Sequence, residues 1–141
     1  MKRNIILSIL ILIIVISIGA IYYIKVYMSD RNVLSRYLQE HGYACVQNTC
    51  TKKNKEHKYS FDIKDKELFI SNSKYRLTIG ENYPILSLKN GNKQCHFNND
   101  NYKRGDKINW DISYDIDCKE YVEEINNFID EYNKILKDNN I

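Results

Sequence analysis

"YSFDIKDKELFISNSKYRLTI", residues 59–79, decides the fold class of this chain. Tyr59, Phe61 and Ile63 alternate with polar residues, and Tyr75, Leu77 and Ile79 repeat the pattern. An apolar side chain at every second position marks a half-buried strand, because successive Cβ atoms point to opposite faces of a sheet. Between the runs, "KDK" and "SNS" read as tight turns, so the strands fold back on one another. The same period returns at Ile108, Trp110, Ile112 and Tyr114. Asn90-Gly91 is the strongest hairpin signal in the chain, since both residues tolerate the positive φ that a two-residue turn requires. Such a turn sets Leu86 opposite Cys95, with Leu88 and Phe97 on the same face, and so aims Cys95 into the core.

Downstream the period changes from two to 3.6. Tyr121, Val122, Ile125, Phe128, Ile129, Tyr132, Ile135 and Leu136 fall on one helical stripe, with Asp117 and Glu120 spaced as a capping box at its start. The apolar face of the sheet is the natural cover for that stripe. Upstream, "SDRNVLSRYLQEHGY" reads as a short amphipathic helix that carries Val33, Leu34, Tyr37, Leu38 and His41 at helical spacing. Ser29 or Asp30 caps its start, and Gly42 stands where a left-handed terminal residue belongs, which stops the helix at His41.

Residues Ile5 to Ile24 carry no charge and are followed by Lys25. That length suits a hydrocarbon core of about 30 Å. Tyr22, Tyr23 and Tyr27 then fall where an aromatic belt meets the headgroups. A cleaved secretory signal is the rival reading, with Lys2 and Arg3 as its basic start and Ser17 and Gly19 as small residues for a cut. The apolar run continues past that point to Ile24, which favours a retained anchor. No cysteine follows closely, which excludes a lipoprotein-type anchor. Lys25, Arg31 and Arg36 balance Lys2 and Arg3, so the basic residues alone do not orient the span. A very short basic N-terminus and an even number of cysteines favour the body lying outside.

The 141 residues hold 21 Lys and Arg against 18 Asp and Glu, a net charge of +3. With 28% charged and 12% aromatic residues, the chain is neither disordered nor a strongly basic nucleic-acid binder. Twelve tyrosines against one proline and five glycines suit a sheet-rich body. Residues 52–76 carry eight Lys or Arg and four Asp or Glu, whereas 111–131 carry one and eight. The expectation is of two solvated faces or two halves that attract, with a basic stretch near anionic lipid or polymer as the functional alternative.

"GYACVQNTC", residues 42–50, raises the choice between metal clip, redox pair and disulfide. A two-residue turn at Gln47-Asn48 sets Cys45 directly opposite Cys50, within reach of a disulfide. A zinc site needs a second clip, and Cys95 and Cys118 lie too far apart in sequence to form one. A thioredoxin-like motif needs two intervening residues and a helix start. The expected pairs are Cys45 with Cys50 and Cys95 with Cys118, although four cysteines permit three pairings.

"DISYDID", residues 111–117, lines up oxygen ligands at alternate positions but has Ile116 and Val122 where a calcium loop needs Gly and Glu, and it reads as a strand's solvent face. Arg104-Gly105-Asp106 lies in the longest expected loop, residues 98–107, and reads as a turn. Tyr102, Lys103, Arg104 and Asp106 are the candidate contact residues there, because sites concentrate on loops. His41, His57 and His96 are scattered, and no hydrolase, zincin or phosphate-loop motif is present, so no catalytic residue, metal or cofactor is expected.

The sequence predicts an α+β protein: a transmembrane helix, a short amphipathic helix, and an antiparallel β-meander with a C-terminal helix packed on the sheet. Its expected segments are a basic N-terminus (1–4), a signal-anchor helix (5–27), a juxtamembrane helix (28–42) and an extracytoplasmic domain (43–138). The expected role is a binding or interaction module at the cell surface. Its partners are the bilayer through residues 5–27 and a surface protein or polyanion, with no nucleic acid. One alternative is a pilin-like structural subunit, which the order of apolar helix, amphipathic helix and sheet resembles in architecture. It lacks that family's leader cut before Phe and the glutamate five residues on, and adds a C-terminal helix. Another alternative is a thiol-dependent enzyme or redox partner, which requires a reactive cysteine.

Overall fold

The computed structural model describes residues 2–91, 93–95, 97, 101–109 and 116–141. Helix α1, Lys2–Tyr22, runs through a π-helical turn, Tyr23–Tyr27, and its side chains are exposed from Ile5 to Met28. The stretch Arg3–Tyr27 is long and apolar enough to cross a membrane, with mean hydropathy 3.0 and its apolar window exposed. Tyr23 stacks on Tyr27 with ring centroids 4.7 Å apart. Helix α2, Asp30–Glu40, follows after Met28-Ser29 and is tied back to that turn. Asn32 donates to the Val26 carbonyl, and the Arg36 guanidinium lies 3.8 Å over the Tyr27 ring while donating to its carbonyl.

Helix α2 ends as its sequence dictates. Gly42 has φ +86°, its N–H bonds Gln39 O, and Tyr43 N–H reaches back to Leu38 O at 2.9 Å, the left-handed ending that a glycine permits. The chain then enters a seven-stranded antiparallel sheet in simple sequence order. The strands are β1 (Ala44–Val46), β2 (Thr49–Lys53), β3 (Lys58–Asp62), β4 (Glu67–Ser71), β5 (Tyr75–Ile79), β6 (Ile85–Leu88) and β7 (Gln94–Cys95). The register pairs Cys45 with Cys50 and Leu86 with Cys95. Gly91 has φ +89°, as the hairpin turn requires.

Alternation divides the sheet into two faces. Tyr59, Phe61, Leu68, Ile70, Tyr75, Leu77, Ile79 and Leu86 are buried, and the residues between them form an open, mostly polar face that also exposes Phe69 and Ile85. Both helices cover the buried face. Helix α2 contributes Leu34 and Leu38, and helix α4, Val122–Asp138, contributes Ile125, Phe128, Ile129 and Tyr132. Tyr132 stacks on Phe61 with centroids 6.3 Å apart, and its hydroxyl donates to Lys66 O at 2.6 Å. Tyr37 of α2 donates to Asp138 of α4 at 2.8 Å, joining the two covering helices.

Two expectations are corrected. The C-terminal helix is broken: a single turn, α3 (Ile116–Lys119), precedes α4. Tyr121 occupies the N-cap of α4 without a side-chain cap bond, so the Asp117 and Glu120 spacing does not start the long helix. The expected strand through Ile108 to Tyr114 falls largely outside the described residues, as does most of the acidic run at 111–117. At its described start, Ile108 is not in a strand; both its N–H and its C=O bond the Asn126 amide of α4, each at 2.8 Å.

Candidate functional site

Strand direction sets which loops meet. Helix α2 leads away from the apolar helix, β1 returns, and each later strand reverses. The β2–β3 loop, the β4–β5 loop and the start of α4 therefore gather at the end of the sheet opposite the start of α2. Both loops are shaped by an asparagine that closes its own backbone. Asn54 Oδ1 accepts the N–H groups of Glu56 and His57, and Asn72 Oδ1 accepts those of Lys74 and Tyr75. The two turns set His57 and Tyr75 side by side under Glu124 of α4.

Tyr75 is 1% exposed, and its hydroxyl donates to Glu124 Oε1 at 2.5 Å. His57 Nε2 lies 3.3 Å from the same oxygen, 3.4 Å from Asn72 Nδ2 and 3.4 Å from the Tyr75 hydroxyl. Nε2 carries a hydrogen when it donates to Glu124 and a lone pair when it accepts from Asn72, so these contacts belong to different forms of the ring. Burial, then the hydrogen bond to Glu124 and its charge, hold the Tyr75 phenol well above its ordinary range and keep it a donor. Glu124 stands in the first turn of α4, where the helix dipole favours an anion.

Above this cluster lies an open cleft of about 570 Å³. Tyr75 and Tyr121 form part of its wall as an edge-to-face pair 5.4 Å apart, and His57 packs edge-on against Phe128 at 5.3 Å, an arrangement that aromatic quadrupoles favour. Lys55, Glu56, Ser73 and Lys74 make its polar rim. Aromatic walls with a few convergent polar groups are what ligand pockets commonly offer. The groups can donate and accept hydrogen bonds, and the two lysines with Glu56 and Glu124 give the cleft both signs of charge. Among the described residues no cluster of His, Cys, Asp or Glu is arranged to hold a metal.

The cysteines form two disulfides, Cys45–Cys50 with Cα atoms 4.0 Å apart and Cys95–Cys118 at 5.7 Å. All four are bonded, so none offers a thiol in this state. The second bridge fastens β7 to α3.

The loop around Arg104 is docked on the body. Asn133 of α4 donates to Gly105 O, Lys103 N–H bonds the Asp106 carboxylate at 2.8 Å, and Arg104 pairs with Glu81 at 3.6 Å. Tyr102 is half-buried with its ring 5.0 Å from that of Tyr83. The structure does not bring these residues to the cleft.

Sequence reasoning leaves His57 as one of three scattered histidines. Its partner Glu124 lies 67 residues away, and only the fold brings the two together. Asn54 and Asn72, each close to a strand end, are the one local signal of shaped turns at this end.

Fold and site thus define a small α+β domain with both helices on one face of a meander, joined to an apolar N-terminal helix and bearing a polar cleft at the opposite end. No family model, curated protein or solved structure matches the chain.

Proposed function

We propose that this is a single-pass, membrane-anchored extracytoplasmic binding module at the cell surface, with the cleft around His57, Tyr75 and Glu124 as its contact site. The observation that carries the reading is the polarity of the molecule: the cleft opens at the end of the sheet opposite the start of α2, where the chain arrives from the apolar helix. A module held this way turns its cleft away from the bilayer. Two disulfides support a body outside the reducing cytoplasm. Lys55 and Lys74 stand in the cleft with Glu56 and Glu124, and the two lysines are the groups that meet a surface polyanion or an acidic segment of a surface protein.

Thiol counting on the full-length protein purified from membranes without reductant tests placement and anchor together. Maleimide labelling only after reduction, on a chain that retains residues 1–24, is the expected result. Four free thiols overturn the outside placement, and a chain that begins after Gly19 overturns the anchor. Retention of the full chain on immobilised polyphosphate tests the contact site. A loss of about threefold in K55Q/K74Q is expected, and unchanged retention removes the rim lysines from binding.

A further inference from the structure

The opposite end of the sheet carries a second hollow, of about 290 Å³, beside the start of α2. Its floor is apolar: Leu34 and Ile63 are buried there and Ile141 packs half-buried against them. Three cations stand around that floor, Arg31 from the first turn of α2 and Lys64 and Lys66 from the β3–β4 turn. Among the described residues none of the three is in an ion pair. Lys64 and Lys66 also border a neighbouring hollow that holds Asp65, Glu67 and Glu81, whereas on the side that faces Leu34 and Ile63 no acidic side chain of the described residues lines the wall.

The basic turn is held in shape before anything binds. The Asp62 carboxylate accepts the N–H groups of Lys64 and Asp65, and Tyr132 fixes the Lys66 carbonyl. Lys66 sits at φ +55°, a left-handed conformation that a side chain adopts at some cost. The Asn48 carbonyl takes the Ile63 N–H at 2.8 Å and joins the β1–β2 turn to the same wall. Val46, at the head of that turn, is 74% exposed.

Position selects the occupant. Arg31 follows Tyr27 by four residues, so their Cα atoms lie within about 14 Å. The Asn32 bond to Val26 and the Arg36 contact with Tyr27 bring α2 closer still to the end of the apolar helix. A polar layer about 5–7 Å deep covers each side of the hydrocarbon. Cations over an apolar floor this close to the end of the apolar helix match a phosphate joined to acyl chains.

Resting on the anchored reading above, we infer that the Arg31, Lys64 and Lys66 hollow binds the headgroup phosphate of an anionic phospholipid from the leaflet in which α1 ends. The bound lipid is a second tether that sets the domain upright and keeps the distal cleft clear of the membrane.

The test uses the full chain in nanodiscs of mixed phosphatidylcholine and phosphatidylglycerol, with retained lipids counted by native mass spectrometry. Phosphatidylglycerol is expected to be retained roughly tenfold over phosphatidylcholine, because basic side chains at a membrane surface favour anionic headgroups. R31Q/K64Q/K66Q brings the ratio to parity, while K53Q/K58Q/R76Q, which removes equal charge from the open sheet face, leaves it unchanged. Equal losses in both variants, each with wild-type circular dichroism, overturn the hollow and leave only net-charge attraction. Displacement of the lipid by excess inorganic phosphate overturns the acyl contribution and makes this a free-phosphate site. Carbonate extraction of the wild-type chain from vesicles overturns the anchor and the inference with it; a chain that resists extraction but shows no lipid preference overturns the inference alone.

Discussion

The Tyr75 hydroxyl donates to Glu124 Oε1 at 2.5 Å, tying β5 to the first turn of α4 across 49 residues of sequence. Tyr75 is buried while Glu124 keeps access to water, so removing the hydroxyl leaves a carboxylate that can be rehydrated. Tyr75→Phe is expected to cost about 1.5–3 kcal/mol, the range for a hydrogen bond to a charged group. The urea midpoint should fall with an unchanged slope. A variant as stable as wild type would show that the bond adds nothing to the folded state.

Tyr43 makes the opposite case. It is 5% exposed, and its hydroxyl is buried with no hydrogen-bond partner among the described residues. Tyr43→Phe relieves that group of its desolvation, so stability should hold or rise by up to about 1 kcal/mol. A clear fall in the melting temperature would mean that the hydroxyl is satisfied in solution.

Alkaline pH should unfold this protein in a defined window. Burial, opposed by the nearby Arg104 charge, pushes the Tyr132 phenol up to about 12. An unfolded tyrosine ionises near about 10. Stability from keeping Tyr132 neutral is complete below the unfolded value and is lost as pH rises to the folded one. Tyr43 and Tyr75, also raised by burial, extend the loss further upward. Urea midpoints measured across the alkaline range should fall above about pH 10, and Tyr132→Phe should make that fall shallower.

The disulfides close loops of different length, with separations of 5 and 23 residues. Chain-entropy arguments assign about 2 kcal/mol to the short loop and about 3 kcal/mol to the long one. Cys95 and Cys118 are also both buried. The double serine variant at Cys95 and Cys118 should therefore lose more stability than that at Cys45 and Cys50. Calorimetry that gives the reverse order would place residual structure in the unfolded chain near the long loop.

Gly105 and Gly91 both have positive φ, at +83° and +89°, but different surroundings. A Cβ on Gly105 would collide with Asn133 Oδ1, whereas nothing stands within 4 Å of one on Gly91. Gly91→Ala should cost about 1 kcal/mol of backbone strain. Gly105→Ala should cost more, since it also breaks the Asn133 bond to the loop. Matching melting temperatures would mean that the loop shifts to accept the methyl group.

Much of the fold is legible because one face of each element is buried. Period-two runs at Tyr59–Ile63 and Tyr75–Ile79 and the helical stripe from Val122 to Leu136 state in sequence which side meets the core. The Asn90-Gly91 and Gln47-Asn48 turns set the register, and with it the facing of Leu86 to Cys95 and of Cys45 to Cys50. The break before α4 is hidden because Tyr121 continues the apolar stripe while occupying the N-cap. Ile108 reads as strand because apolar residues alternate there, yet its backbone is satisfied by the Asn126 side chain, a partner no local pattern announces. The cleft is hidden for the same reason: His57, Tyr75 and Glu124 come from three separate parts of the chain.

The unbroken strand order from β1 to β7 also bears on how the chain assembles. Each strand needs only the one before it, so the sheet can grow in the order of synthesis with short loop closures. The cover arrives late, because α4 is the last helix to emerge. Until then Phe61, Leu68, Ile70, Leu77 and Ile79 have only α2 as cover and lack the α4 side of it, the kind of exposure that invites aggregation or a chaperone. Cys95 waits with them for Cys118, so closure of that bridge marks the moment when the sheet has received its lid.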